Sequence, residues 1–152
     1  VEGGPGRRAR LLAVTVARTS ADAPLASRLC SLEAQIEEFI AAHRPDELAV
    51  EAVFSQHNAR SVIGTAQASG VAVLVGGRRR IPVSTHTPTE VKAGVTGNGR
   101  ADKAQVARMV TSILGLDTPP TPADASDALA LSLAHLWQAP VLARRRLAGL
   151  NR

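Results

Sequence analysis

Aromatic side chains are nearly absent from this chain: two Phe, one Trp and no Tyr among 152 residues. The core must therefore be aliphatic, and an aromatic outside it needs a reason. Cysteine is as scarce. Cys30 stands alone, which excludes an intramolecular disulfide, and its place in an amphipathic helical pattern marks it as a small core residue rather than a nucleophile. No apolar run approaches the ~20 residues that a membrane-crossing helix needs; Val71–Val75 is typical. No signal-peptide pattern is present either, so the expected location is the cytoplasm. Internal repeats are lacking.

What is there begins with enough aliphatic residue for one real core: 45% of the chain is hydrophobic. Net charge is +5, from 18 Lys and Arg against 13 Asp and Glu. That excess favours a polyanionic partner without proving one. It is clustered at Arg7-Arg8 with Arg10, at Arg78-Arg79-Arg80 and at Arg144-Arg145-Arg146. Each cluster reads equally well as solvated surface.

Along the chain, strand and helix patterns alternate, which predicts the α/β class. Gly3-Gly4-Pro5-Gly6 is a turn, followed by a β-branched strand over Arg10–Arg18. Leu25–His43 has helical periodicity through Leu25, Leu29, Leu32, Ile36, Phe39 and Ile40, and Arg44-Pro45-Asp46 ends it. Glu47–Phe54 reads as a buried, parallel strand. Asn58–Gly70 is a small-residue helix stopped by Gly70, and Val71–Val75 either continues it or opens another element. Arg80–Thr85 is the next strand. Thr87-Pro88-Thr89-Glu90 is a capping box that opens a helix over Pro88–Ala93. Val95–Arg100 is a flexible loop, Ala101–Leu114 a helix, and Thr121–Trp137 the last helix. A basic tail follows Ala139 and sets a boundary between residues 1–140 and 141–152.

Three carboxylates carry the chemistry. Glu51 lies inside the apolar run Leu48-Ala49-Val50-Glu51-Ala52-Val53-Phe54, where a charge is expensive unless paired. The alternatives are a strand-end residue reaching solvent, or a Glu paired with an Arg. Asp124 and Asp127 stand three apart at a helix start and share one helix face. Their displacement along the axis is about 4.5 Å, close enough to ligate one ion or a bridged pair. With Thr121 as N-cap, Asp124 also reads as a capping residue. Asp127, followed by Ala128-Leu129-Ala130-Leu131, is expected to face the protein. Hard oxygen ligands from separate elements, brought together, make a Mg²⁺ site for phosphodiester chemistry. His135 is expected to pack or to lie on the surface. His86, before a helix start, reads as structural or as a neighbour of the site. His43 and His57 carry no signal.

Several motifs resemble, in order, those of the RuvC Holliday-junction resolvases. They are Ala49-Val50-Glu51-Ala52-Val53-Phe54, Gly64-Thr65-Ala66-Gln67-Ala68-Ser69-Gly70, Pro88-Thr89-Glu90-Val91-Lys92, Gly97-Asn98-Gly99-Arg100-Ala101-Asp102-Lys103 and Ala123-Asp124-Ala125-Ser126-Asp127-Ala128. The resemblance spans about Val1 to Pro140. It implies a ribonuclease-H-like fold with a mixed central sheet flanked by helices. It also implies a homodimer, branch-migration partners, and symmetric nicking of four-way DNA junctions in recombination and repair. Two Mg²⁺ per site are implied, with Mn²⁺ as a substitute. Glu51, Asp124 and Asp127 match three of the family's four acidic residues. Lys92 and Lys103 match basic residues that contact the junction backbone, Arg100 lies between them in the glycine-rich loop, and Phe54 matches an aromatic that stacks on a base.

The family's remaining acid is an Asp on a first strand, before a Pro-Gly turn. It has no counterpart: no Asp precedes Asp22, and Glu2 is misplaced. The sequence thus resembles a resolvase lacking its first strand and most of its second. The expected consequences are a lost metal ligand, exposed sheet edges and loss of activity. Two other readings stand beside this one: a non-catalytic DNA-binding protein on the same fold, and another ribonuclease-H-like nuclease.

Overall fold

The computed structural model, which describes residues 1–3, 8–53 and 59–147, bears out the alternation of strands and helices. In chain order the elements are β1 (Glu2–Gly3), β2 (Ala9–Arg10), α1 (Leu25–His43), β3 (Leu48–Glu51), α2 (Ala59–Arg78), β4 (Val83–His86), α3 (Pro88–Thr96), α4 (Lys103–Leu114) and α5 (Ala123–Leu147). Among the described residues the sheet is in two pieces, an antiparallel β1–β2 pair and a parallel β3–β4 pair. Two units divide the chain: Val1–Thr15 with Pro88–Arg152, and Val16–Thr87. No described helix is long and apolar enough to cross a membrane.

The first unit is built on helices. Valines four apart on α3 (Val91, Val95) and on α4 (Val106, Val110) bury one stripe each. They meet Leu129, Ala130, Leu133 and Ala134 of α5, with Leu133, Ala134 and Val110 fully buried. Gly94 lets α3 approach α5 closely, since a Cβ there would stand 2.9 Å from Ala134 Cβ. The core is aliphatic, as the scarcity of aromatics requires. Asp102 caps α4: its side chain accepts from Gln105 N at 2.7 Å, and Gln105 Oε1 accepts from Asp102 N at 2.9 Å.

In the second unit, β3 and β4 run in register from Leu48 opposite Val83 to Glu51 opposite His86. Backbone bonds frame the ladder, Leu48 N donating to Pro82 O at 2.9 Å and Ala52 N to His86 O at 2.8 Å. Helix α1 turns Ile40 inward, and the Arg44 N–H closes its end on Ile40 O in a left-handed cap. Arg78 and Arg79, at the end of α2, pair with Glu33 and Glu37, one turn apart on α1. Two arginines of that basic cluster are therefore engaged within the fold.

Several expectations are corrected. The strand expected over Arg10–Arg18 ends at Arg10. Val14 and Val16 favour extended backbone, but a strand is made by a partner's ladder, and no described residue pairs beyond Arg10. Instead, Gln35 of α1 bonds both the N–H and the carbonyl of Arg18, at 3.1 and 3.0 Å. Gly70 does not stop α2, which runs through Val71–Val75 to Arg78. Burial of Val75 outweighs the ~1 kcal/mol that a mid-helix glycine costs. Cys30 is exposed, about 100° around α1 from Leu29 and off its inward stripe. The backbone from Pro140 to Leu147 is helical, so the basic segment from residue 141 begins as helix. Arg, Leu and Ala are good helix formers.

Candidate active site

The phase of α5 places the acidic pair. Ala125, Ser126, Leu129, Ala130 and Leu133 are buried, which turns Asp124 and Asp127 to solvent. Asp127 was expected to face the protein; it is exposed, because the buried stripe of α5 runs through Ala125, Ser126, Leu129, Ala130 and Leu133 and leaves it outside. Asp124 lies in the first turn of α5, where a carboxylate also suits the helix dipole. The helix start is anchored by buried Ser126, whose hydroxyl donates to Pro120 O at 3.2 Å.

Lys103, first residue of α4, reaches Asp127 Oδ2 at 3.5 Å. Both groups are well exposed, so the pair contributes little to stability. Its value is positional: α4 on α5 brings a cation and two carboxylates onto one surface. Lys92 is half-buried on α3, and Arg100 is exposed in the turn before α4. That turn is not the flexible loop expected over Val95–Arg100. Helix α3 runs on to Thr96, and hydrogen bonds from Thr96 and Asn98 hold the residues that follow.

Glu51 belongs to the second unit. It is exposed, not buried: it is the last residue of β3, and Ala52 and Val53, which suggested a buried strand continuing past it, lie beyond the strand. Its register partner on β4 is His86, which is 3% exposed. Nothing in the sequence pairs these two residues; the parallel register does. Phe54 lies outside the described residues.

A groove of about 360 Å³ in the first unit is lined by Leu11, Val14, Leu116, the Pro119-Pro120 turn and Leu129, not by the acidic pair. The carboxylates thus sit on open surface, which suits a large substrate better than an enclosed small molecule. Their donor chemistry fits a hard divalent cation, being accessible carboxylate oxygen one helical turn apart. Among the described residues no three His, Cys, Asp or Glu side chains gather as a metal-holding group, so α5 by itself offers a pair.

Against this geometry, the model of one family, the crossover junction endodeoxyribonuclease RuvC, matches residues 1–135. The chain belongs to the RuvC family. The RuvC of Streptomyces coelicolor is 60% identical over 140 residues, which cover 92% of this chain and 74% of that protein. The RuvC of Mycobacterium ulcerans is 56% identical over 144 residues, covering 95% and 78%. Among solved structures, Thermus thermophilus RuvC superposes with a TM-score of 0.84 at 34% identity, covering 93% of this chain and 85% of that one. The T. thermophilus RuvC in complex with a Holliday junction substrate gives the same TM-score over 91% and 83%. The fold is ribonuclease-H-like, and the enzyme class is that of a hydrolytic, junction-resolving endonuclease. RuvC nucleases are metal-dependent, and the carboxylate pair on α5 is consistent with that chemistry.

Proposed function

We propose that this RuvC chain resolves four-way DNA junctions by paired, symmetric nicking, with Glu51, Asp124 and Asp127 holding two Mg²⁺ ions that Mn²⁺ can replace. The observation that carries this reading is the exposed Asp124/Asp127 pair with Lys103 3.5 Å from Asp127, on a chain of this family. When bound, such ions supply positive charge at the attacking and leaving oxygens of an in-line displacement. The reaction adds water across one P–O3′ bond, leaving a 5′-phosphate and a 3′-hydroxyl. Lys92, Arg100 and Lys103 offset backbone phosphate charge along the strand. Phe54 stacks on a base near the crossover, so Phe54→Ala is expected to weaken junction binding by about 1–3 kcal/mol. Wild-type affinity in titrations of that variant would remove Phe54 from the interface.

A four-way junction presents two near-symmetric strands, which an isologous dimer matches with one site each. The surface that supports a dimer lies on α2. Ile63, Ala66, Gly70, Val73, Leu74 and Gly77 recur at helical spacing, and all are exposed. Unpartnered apolar stripes of this kind mark interaction sites. Leu74→Arg is therefore expected to convert a dimer of 15.8 kDa chains to monomer in light scattering, and a persistent dimer would place the interface elsewhere. Branch-migration proteins are the further partners of this reading.

The deciding experiment incubates the enzyme with a labelled synthetic four-way junction and Mg²⁺, beside plain duplex and an RNA–DNA hybrid. Paired symmetric nicks confined to the junction are the expected result. Binding without cleavage at any divalent concentration would make the chain a DNA-binding protein, and preference for the hybrid would make it a different nuclease.

A further inference from the structure

The three cations assigned to the DNA backbone share one hydrogen-bonded turn. Thr96 Oγ1 stands 2.8 Å from Lys92 O and 3.0 Å from Asn98 O, donating its proton to one at a time, and it accepts from Asn98 N at 3.1 Å. Asn98 Oδ1 then accepts from Arg100 N at 2.9 Å, and Asn98 O accepts from Ala101 N at 3.1 Å. Ala101 is buried, and the next residue, Asp102, caps the helix that opens at Lys103. Gly97 makes the reversal at φ 77°. Gly99 packs so closely that a Cβ would stand 2.8 Å from Thr89 Cγ2. With Thr96 donating to Lys92 O, bonds run from the backbone of Lys92 through the Thr96 and Asn98 side chains to the backbone of Arg100, and the Asn98 carbonyl ties the same turn to Ala101 before α4.

We propose that Thr96 and Asn98 are positioning residues that hold Lys92, Arg100 and Lys103 in the spacing needed to meet successive phosphates. The proposal rests on the reading that these cations contact the junction backbone. Its physical basis is preorganisation. Exposed Arg and Lys side chains are long and mobile, and a backbone set before binding spares part of the ordering that binding would otherwise require. Asn98 is exposed and Thr96 only half-buried, so neither contributes a core contact that would explain its bonds.

Junction binding measured across a salt series tests this. Arg100→Ala calibrates the assay: loss of one phosphate contact makes the slope of log K against log salt shallower by about 1. Asn98→Ala and Thr96→Val are each expected to flatten the slope by a similar amount although neither removes a charge. Thr96→Ser, which keeps the hydroxyl, is expected to restore it. The double variant Asn98→Ala/Arg100→Ala should lose less than the sum of the two single losses, because Asn98 acts in part through Arg100. In cleavage, KM should rise while kcat holds. Thermal melting accompanies each variant; if Thr96→Val does not fold, Asn98→Ala in the exposed turn decides the matter. A flattened slope for Arg100→Ala with an unchanged one for Asn98→Ala would overturn the positioning role while leaving the cations at the DNA. Unchanged slopes for Arg100→Ala and Lys103→Ala together would overturn the backbone contacts and this inference with them.

Discussion

Asp127→Asn and Glu51→Gln are each expected to abolish junction cleavage while leaving junction binding close to wild type. Both replacements keep the side-chain size and one oxygen but remove the negative charge that a divalent cation requires. Loss of an outer-shell partner of a metal ligand lowers affinity or activity about 10–100-fold. Loss of a ligating carboxylate should cost more, so residual cleavage below about one-hundredth is expected. Under the proposed function binding is spared, because the cations assigned to the DNA backbone, Lys92, Arg100 and Lys103, are not altered. Asp127→Asn carries an additional expectation. It releases Lys103, 3.5 Å away, and removes a negative charge from the DNA face, so junction affinity should stay level or rise slightly. Time courses and gel-shift titrations on the same junction check both halves. Cleavage within tenfold of wild type in either variant would take that carboxylate out of the metal site.

Leu133→Ala is expected to cost about 2–5 kcal/mol of stability, a large share of the roughly 5–15 kcal/mol that a domain has. Leu133 is fully buried where α3, α4 and α5 converge, among Val91, Val95, Val106 and Val110. These β-branched neighbours have few rotamers with which to fill a void, so the cavity term should persist. The exposed Leu12 provides the contrast: Leu12→Ala should move stability by no more than about 0.5 kcal/mol. Urea unfolding of both variants checks this. Equal midpoints would mean that the α3–α4–α5 cluster is not the stabilising core. Because α5 also carries Asp124 and Asp127, a fraying Leu133→Ala variant should lose cleavage at temperatures where the wild type is still folded.

Legibility differed by element. Helix α1 was readable because its apolar spacing is regular and Pro45 cannot continue it. Helix α3 was readable because Pro88 opens it; α4 was expected from Ala101, and the structure starts it at Lys103, where Asp102 and Gln105 form a capping box. Each signal is local, decided within one or two turns. Gly70 misled for the converse reason: its intrinsic cost is local, whereas the burial of Val75 that overrides it comes from packing. The turn at Thr96–Arg100 looked flexible because it holds two glycines. Its order comes from side-chain-to-backbone bonds that composition does not display.

The candidate site divides in the same way. The sequence alone singled out Glu51, Asp124 and Asp127 as candidate carboxylates and Lys92, Arg100 and Lys103 as candidate cations, and it pointed to the family to which the chain belongs. Residue type, order and motif spacing are properties of a string. Whether Asp127 faces solvent, whether Lys103 reaches it, and that Glu51 ends its strand opposite His86 were decided only by tertiary structure. Exposure depends on which side of α5 the valines of α3 and α4 cover, and a strand neighbour depends on ladder register. Both are set by contacts between residues distant in sequence, where no local pattern carries the information.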